Sequence, residues 1–220
     1  MEGGEIKKHT LAWIKLEEEL GVDIIPIHQS PLTVESLRQK IAHCKSCSLY
    51  KTRKNVVFGE GNIPAILMFV GGAPGEEEDQ SARPFVGASG NLLDKMIVAM
   101  GLQRKECYVS NVVKCRPPNN RDPNALEISS CFGYIRDEIK LVSPQIICTL
   151  GRIATKTLLG LREKESFFSV RGKWHTFWGI PLMPTYHPSY LIRNPDKKRE
   201  AWEDLKQIMK KLGLKRDENV

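Results

Sequence analysis

Six consecutive apolar residues, Ala65–Val70 (AILMFV), run straight into Gly71-Gly72-Ala73-Pro74-Gly75. Continuous apolar character without alternation is the pattern of a strand covered on both faces, and the glycines and proline that follow can only form a loop. Such a strand needs layers above and below it, and the rest of the chain offers them. Ser89 is placed to cap a helix whose Leu92, Leu93, Met96, Ile97 and Met100 share one face and which Gly101 closes. Cys107–Val113 is a second strand candidate. Asp122-Pro123 reads as a helix start, with Ile128, Cys131, Ile135, Ile139 and Val142 continuing its apolar face. Gln145–Leu150 is a third strand, Gly151–Leu159 a helix, Val170–Pro184 a hairpin, and a last helix carries Trp202, Leu205, Met209 and Leu212. Strands alternating with helices predict an α/β fold, a three-layer α/β/α arrangement around a mostly parallel sheet. Ligands bind such sheets at the carboxyl ends of the strands, which directs attention to the loops after Val70 and Val113.

The chain of 220 residues is long enough for one domain with a sizeable core. Residues 1–30 read as a helical extension, with Leu11, Ile14 and Leu20 on one face and Pro26 at its end. Residues 31–215 read as a single domain, opening with a helix over about Val34–Ala42 that leads into the first cysteines. The first twenty residues lack the apolar core of a secretion signal, and no stretch has the length of a membrane span. The expectation is therefore an intracellular, cytoplasmic protein without membrane contact. A net charge of +7 and a sequence pI near 9.1 favour a polyanionic partner such as nucleic acid. Much of that charge lies between Lys197 and Arg216, where it fits a solvated helix face equally well.

Six cysteines in a reducing compartment point away from disulfides. Cys44-Lys45-Ser46-Cys47 is a C-x2-C pair able to grip one metal centre from a single turn. Cys115 and Cys131 lie far downstream and could complete a set of four thiolates. Cys107 and Cys148 fall inside apolar strand candidates and read as small buried residues. The spacing alone fits zinc, an iron–sulfur cluster or a redox pair.

The glycine-rich loop continues into Glu76-Glu77-Glu78-Asp79, and this density of carboxylates, without a Gly-Lys-Ser/Thr ending, argues against a phosphate cradle. Arg83-Pro84-Phe85-Val86-Gly87 places an aromatic ring just downstream. Asn111 closes the second strand, and Tyr186-His187-Pro188-Ser189-Tyr190-Leu191-Ile192-Arg193 follows the last. A flat ring, an amide and an imidazole suit a single nucleobase: the ring stacks, the amide reads a donor and an acceptor on the base edge, and the imidazole handles charge.

Taken together, the four cysteines with their spacing, G-x-A-P-G-x-x-E-D, R-P-F-V-G, N-V-V-K-C-R-P-P and H-P-S-Y-L-x-R resemble the iron–sulfur (type 4) uracil-DNA glycosylases, over about residues 44–202. The resemblance implies the uracil-DNA glycosylase-like fold and a structural [4Fe–4S] cluster on Cys44, Cys47, Cys115 and Cys131. It implies that Gly72 and Ala73 line the uracil pocket, that Phe85 stacks on uracil and that Asn111 reads its edge. His187 would hydrogen-bond a uracil carbonyl, and Glu78 would lie near sugar and base as a second catalytic group. Ser189, Leu191 and Arg193 would face DNA, Leu191 as the apolar wedge that enters the stack. The family usually has Glu where this chain has Gly72, which removes a side chain expected to position or activate the attacking water.

The implied activity is monofunctional excision of uracil from single- or double-stranded DNA by a monomer, leaving an abasic site in base excision repair. The alternative is an iron–sulfur protein that binds uracil or damaged DNA but hydrolyses slowly because of Gly72. A glycosylase with another main substrate, such as hypoxanthine, and a zinc-bound nucleic-acid protein are further readings.

Overall fold

The computed structural model describes residues 32–162 and 164–214, so the expected helical extension over residues 1–30 lies outside the described residues. The described chain begins with α1 (Val34–Ala42), capped by a reciprocal pair in which Thr33 accepts from the Ser36 N–H and Ser36 from the Thr33 N–H. A short edge strand β1 (Glu60–Gly61) precedes β2 (Leu67–Gly71), which is the apolar run. Then come α2 (Glu76–Ser81), α3 (Ala88–Ala99), β3 (Tyr108–Asn111), α4 (Ala125–Val142), β4 (Ile146–Leu150) and α5 (Gly151–Leu159). The chain continues through α6 (Phe167–Val170), β5 (His175–Phe177), β6 (Ile180–Thr185), α7 (Pro188–Arg193) and α8 (Lys198–Leu212).

The strands form one sheet in the order β1-β3-β2-β4-β6-β5. The four inner strands are parallel, with Gly71 level with Asn111 and Val70 with Thr149, and only the edge strands β1 and β5 run antiparallel. β2, β3 and β4 are buried along their whole length, so their side chains alternate between two apolar cores. Leu67, Phe69, Cys148 and Met183 point to one face, where Leu93 and Ile97 of α3 and Leu205 and Ile208 of α8 cover them. Met68, Val70, Ile147 and Leu182 point to the other, against Ile135 and Ile139 of α4 and Ala154 and Leu158 of α5. Each fully buried side chain of this kind contributes about 1.5–3 kcal/mol relative to an exposed one. The result is the expected three-layer α/β/α fold.

Two helix starts differ from expectation. α3 begins at Ala88 behind Gly87, so Ser89 is inside the helix rather than its cap. α4 begins at Ala125, because Asn124 and Glu127 exchange side-chain and backbone hydrogen bonds (2.9 Å each) and form a better cap than Asp122. Asp122 instead pairs with Arg152. The basic C-terminal run is mostly the solvated face of α8, whose opposite face buries Ala201, Leu205, Ile208 and Met209. Among the described residues no helix is long and apolar enough to cross a membrane.

Candidate active site

A cleft of about 1010 Å³ opens where β2, β3, β4 and β6 end, at the carboxyl edge of the parallel strands. Its walls include Gly72, Ala73, Phe85, Asn111, Gly151, Ile153 and His187. Two glycines create the close approaches. A β-carbon on Gly71 would stand 2.4 Å from Asn111 Oδ1 and 2.6 Å from Phe85 Cζ, so only glycine lets ring and amide meet there. Gly151 has φ +81°, and a β-carbon on it would stand 2.8 Å from His187 Cβ.

Asn111 is 2% exposed, and neither its amide nitrogen nor its carbonyl oxygen has a hydrogen-bond partner. Buried side-chain polar atoms without partners are uncommon, and leaving one unpaired costs roughly 1–3 kcal/mol. Here a donor and an acceptor are left open side by side at the cleft. Behind it, the main chain is fixed: Lys114 Nζ donates to the Asn111 carbonyl (2.7 Å), to Ser110 Oγ (2.7 Å) and to Glu138 Oε2 (2.6 Å). Lys114 and Glu138 are each 1% exposed at the side chain, and Glu138 also accepts from the Gly59 N–H. This buried ion pair was not anticipated from sequence, although a lysine between Val113 and Cys115 in an otherwise apolar stretch is the signal for one.

Phe85 sits at φ +52°, a conformation disfavoured for an aromatic residue. Its ring centroid is 5.6 Å from that of His187, tilted by 34°. The loop carrying it is held by Glu78, whose Oε1 accepts from the Val86 (3.0 Å) and Gly87 (3.2 Å) N–H groups and whose Oε2 accepts from the Gly75 N–H (3.0 Å). Glu78 thus clamps the glycine-rich loop to the Phe85 loop. Asp79, 2% exposed, does the same for the other side by accepting from the Lys54 and Asn55 N–H groups. Removing the clamp by Glu78→Ala is expected to destabilise the protein by roughly 1–3 kcal/mol. Thermal unfolding measures that loss, and limited proteolysis should then cut near Phe85.

His187 caps α7. Its Nδ1 accepts from the Ser189 N–H (3.1 Å) and faces the Ser189 hydroxyl (2.8 Å), which assigns the remaining ring proton to Nε2. Burial, reinforced by the Arg193 charge, lowers its pKa to about 4. The ring is therefore a neutral N–H donor at physiological pH. In the folded state it resists protonation that the unfolded chain accepts at its ordinary pKa of 6.5, so its contribution to stability falls as pH drops through the window from 6.5 to about 4. Any step that uses this donor is expected to be independent of His187 titration from about pH 8 to about pH 5, which a pH profile of kcat checks.

Leu191 requires a correction. It is 1% exposed and packs in the core beneath α7, so it is not available as a wedge. The next residue, Ile192, is 44% exposed. Ser189 and Arg193 do line the cleft, Arg193 on its exposed rim. Among the described residues no lysine lines the cleft.

At Gly72 the backbone has ordinary φ. An added β-carbon would meet Ile153 Cβ at 3.1 Å and Cγ2 at 3.3 Å, so Ile153 need give only a few tenths of an ångström. The missing side chain is thus not imposed by the backbone.

The four cysteines expected as ligands lie around one space. Cys44 and Cys47 follow α1, Cys115 follows β3, and Cys131 sits in α4, yet all four line one small cavity with Tyr50, Arg53 and Tyr134. Arg53 donates to Cys115 Sγ (3.0 Å) and also to the carbonyl of Cys44 (3.1 Å). Burial pushes the Cys44 thiol up, but hydrogen bonds from Ser46 and Tyr134 bring it below its ordinary value. Among the described residues no group of three or more His, Cys, Asp or Glu side chains is arranged to hold a metal ion. The donor set of four sulfurs around a shared space, with a guanidinium beside them to offset negative charge, fits an iron–sulfur group. Cys107 and Cys148, by contrast, are fully buried in the apolar core, where burial pushes Cys107 up to about 12 and Cys148 well above its ordinary value.

The strand-end cleft thus brings together an open amide, a ring tilted against an imidazole and the neutral N–H of that imidazole on an α/β/α scaffold. Residues 58–206 match the uracil DNA glycosylase superfamily. A type-4 uracil-DNA glycosylase of Sulfurisphaera tokodaii is 45% identical over 185 residues, covering 80% of this chain and 83% of that protein. Proteins of the same description from Thermotoga maritima (40% over 188 residues, 82% and 96%) and Archaeoglobus fulgidus (38% over 189 residues, 83% and 95%) align over a similar span. The chain belongs to the uracil-DNA glycosylase superfamily, in its type-4 branch.

Proposed function

We propose that this protein excises uracil from DNA by hydrolysing the bond between the base and its deoxyribose. The observation that carries the reading is Asn111: a buried amide with donor and acceptor both open matches the N3–H and O4 edge of uracil. The base leaves the helix, lies against Phe85 and pairs with Asn111. As the glycosidic bond lengthens, the sugar gains oxocarbenium character and negative charge builds on the uracil oxygens. The neutral Nε2–H of His187, in the wall of the same cleft, donates to that charge in this reading, and His187→Ala is expected to lower kcat by about 10²–10³-fold. Glu78 acts as a positioning residue through the two loops it clamps. Water completes the reaction at the sugar. The strand is left intact at an abasic site, since among the described residues no lysine lines the cleft to form a Schiff base.

Cys44, Cys47, Cys115 and Cys131 hold a [4Fe–4S] cluster in this reading, supported by their common cavity and by Arg53. When bound, the cluster supplies a covalent cross-link among three chain segments. The enzyme acts as a cytoplasmic monomer on single- or double-stranded DNA, faster where uracil faces guanine and flips out more easily. Exposed Ile192 on α7 replaces Leu191 as the apolar side chain offered to the base stack.

Product analysis tests the chemistry. Free uracil and an alkali-labile but otherwise unbroken strand are expected, with no adduct after borohydride treatment. A borohydride-trapped covalent complex would overturn the hydrolytic route.

A further inference from the structure

Large apolar side chains exposed among the described residues include Val98, Leu126, Phe168, Trp178 and Ile192, and of these Phe168 alone lines the cleft. It stands on the short helix α6, anchored by Ser166, whose hydroxyl accepts from the Phe168 N–H (3.2 Å). Phe168 is 66% exposed, although Phe167 beside it is buried. The ring meets Tyr186 at 6.5 Å, and Tyr186 stacks on Tyr190 at 5.0 Å with 17° between planes. Tyr186 is itself held in place, donating to Glu200 Oε2 (2.8 Å) and lying under the Arg171 guanidinium at 4.8 Å. Phe168, Tyr186 and Tyr190 all line the same cleft as Asn111 and Phe85. An exposed ring beside a row of aromatic neighbours, in the wall of the same cleft, matches how proteins stack unpaired bases.

We infer that Phe168 is a second stacking platform, which takes the nucleobase next to the deoxyuridine in the same DNA strand. The inference rests on the uracil reading of the cleft. Two aromatic levels then receive one strand: Phe85 at the buried floor takes the flipped base, and Phe168 at the rim takes its neighbour. Stacking is indifferent to base identity because every base has a π face, so the platform adds affinity without sequence preference.

The test uses the full chain and single-stranded oligonucleotides carrying a non-hydrolysable 2′-fluoro-deoxyuridine, with 2-aminopurine on its 5′ or 3′ side. Stacking quenches 2-aminopurine. The expected result is quenching on one flank only, lost in Phe168→Ala and kept in Phe168→Tyr, with a roughly tenfold rise in Kd for Phe168→Ala. Because Phe168 is mostly exposed, its truncation should leave folding and affinity for free uracil unchanged. Quenching on neither flank, or quenching that survives in Phe168→Ala, would overturn the platform. An oligonucleotide with thymine in place of the uracil separates the two readings. Preference for the uracil strand without any effect of Phe168 removes the platform alone, whereas no preference removes the uracil reading and the platform with it.

Discussion

Asn111→Ala is expected to lower kcat/KM for uracil-containing DNA by about 10³-fold or more, in line with sites that read a polar edge and lose it. The same variant should unfold at an unchanged or higher temperature. In the free protein both amide atoms are buried and unpaired, so truncation removes a penalty of roughly 1–3 kcal/mol that offsets the small cavity it leaves. Activity and stability thus move in opposite directions, as expected of a residue kept for recognition. Single-turnover kinetics and a thermal melt on one preparation measure both. A variant that is markedly less stable and only slightly slower would show that Asn111 serves packing instead.

The second large effect concerns the cysteines. On the proposal that the four cysteines hold a [4Fe–4S] cluster, Cys131→Ala is expected to abolish its visible charge-transfer absorbance and to destabilise the protein by more than about 4 kcal/mol, at the extreme of single-site effects, because a cross-link among the segments after α1, after β3 and within α4 would be lost. Cys148→Ala is the matched control. It sits fully buried in the apolar core on β4 and touches none of the four-cysteine cavity. It should keep the absorbance and cost about 1–2 kcal/mol through the space it leaves. Equal spectra in the two variants would remove Cys131 from the ligand set.

These residues also mark how far the sequence is legible. The apolar run at β2 and the helical faces of α3, α4 and α8 specify the three layers because burial periodicity is written locally. Asn111, Phe85 and His187 could be named because each stands in a short motif at a strand end or in a loop beside one. What lay beyond local reading depends on partners far apart in the chain. Leu191 and Ile192 are adjacent and both apolar, and only the seating of α7 on the core decides that the first is buried and the second exposed. Glu78 looks like one acid in a run of four. Its clamp emerges only when Val86 and Gly87 fold back over it. The Lys114–Glu138 pair joins positions 24 apart, and no pattern in either segment names the other.

Gly72 bears most directly on the central claim. Gly72→Glu should be tolerated with a small shift of Ile153, since the backbone conformation there suits any residue. The decisive measurement is single-turnover base release from one DNA sequence carrying uracil, cytosine or thymine at the same position, for the protein with Gly72 and for Gly72→Glu. Release of uracil alone is predicted for the protein with Gly72, with Gly72→Glu equal or faster. Base release by neither protein would contradict uracil excision and leave a cleft that binds the base without cutting it.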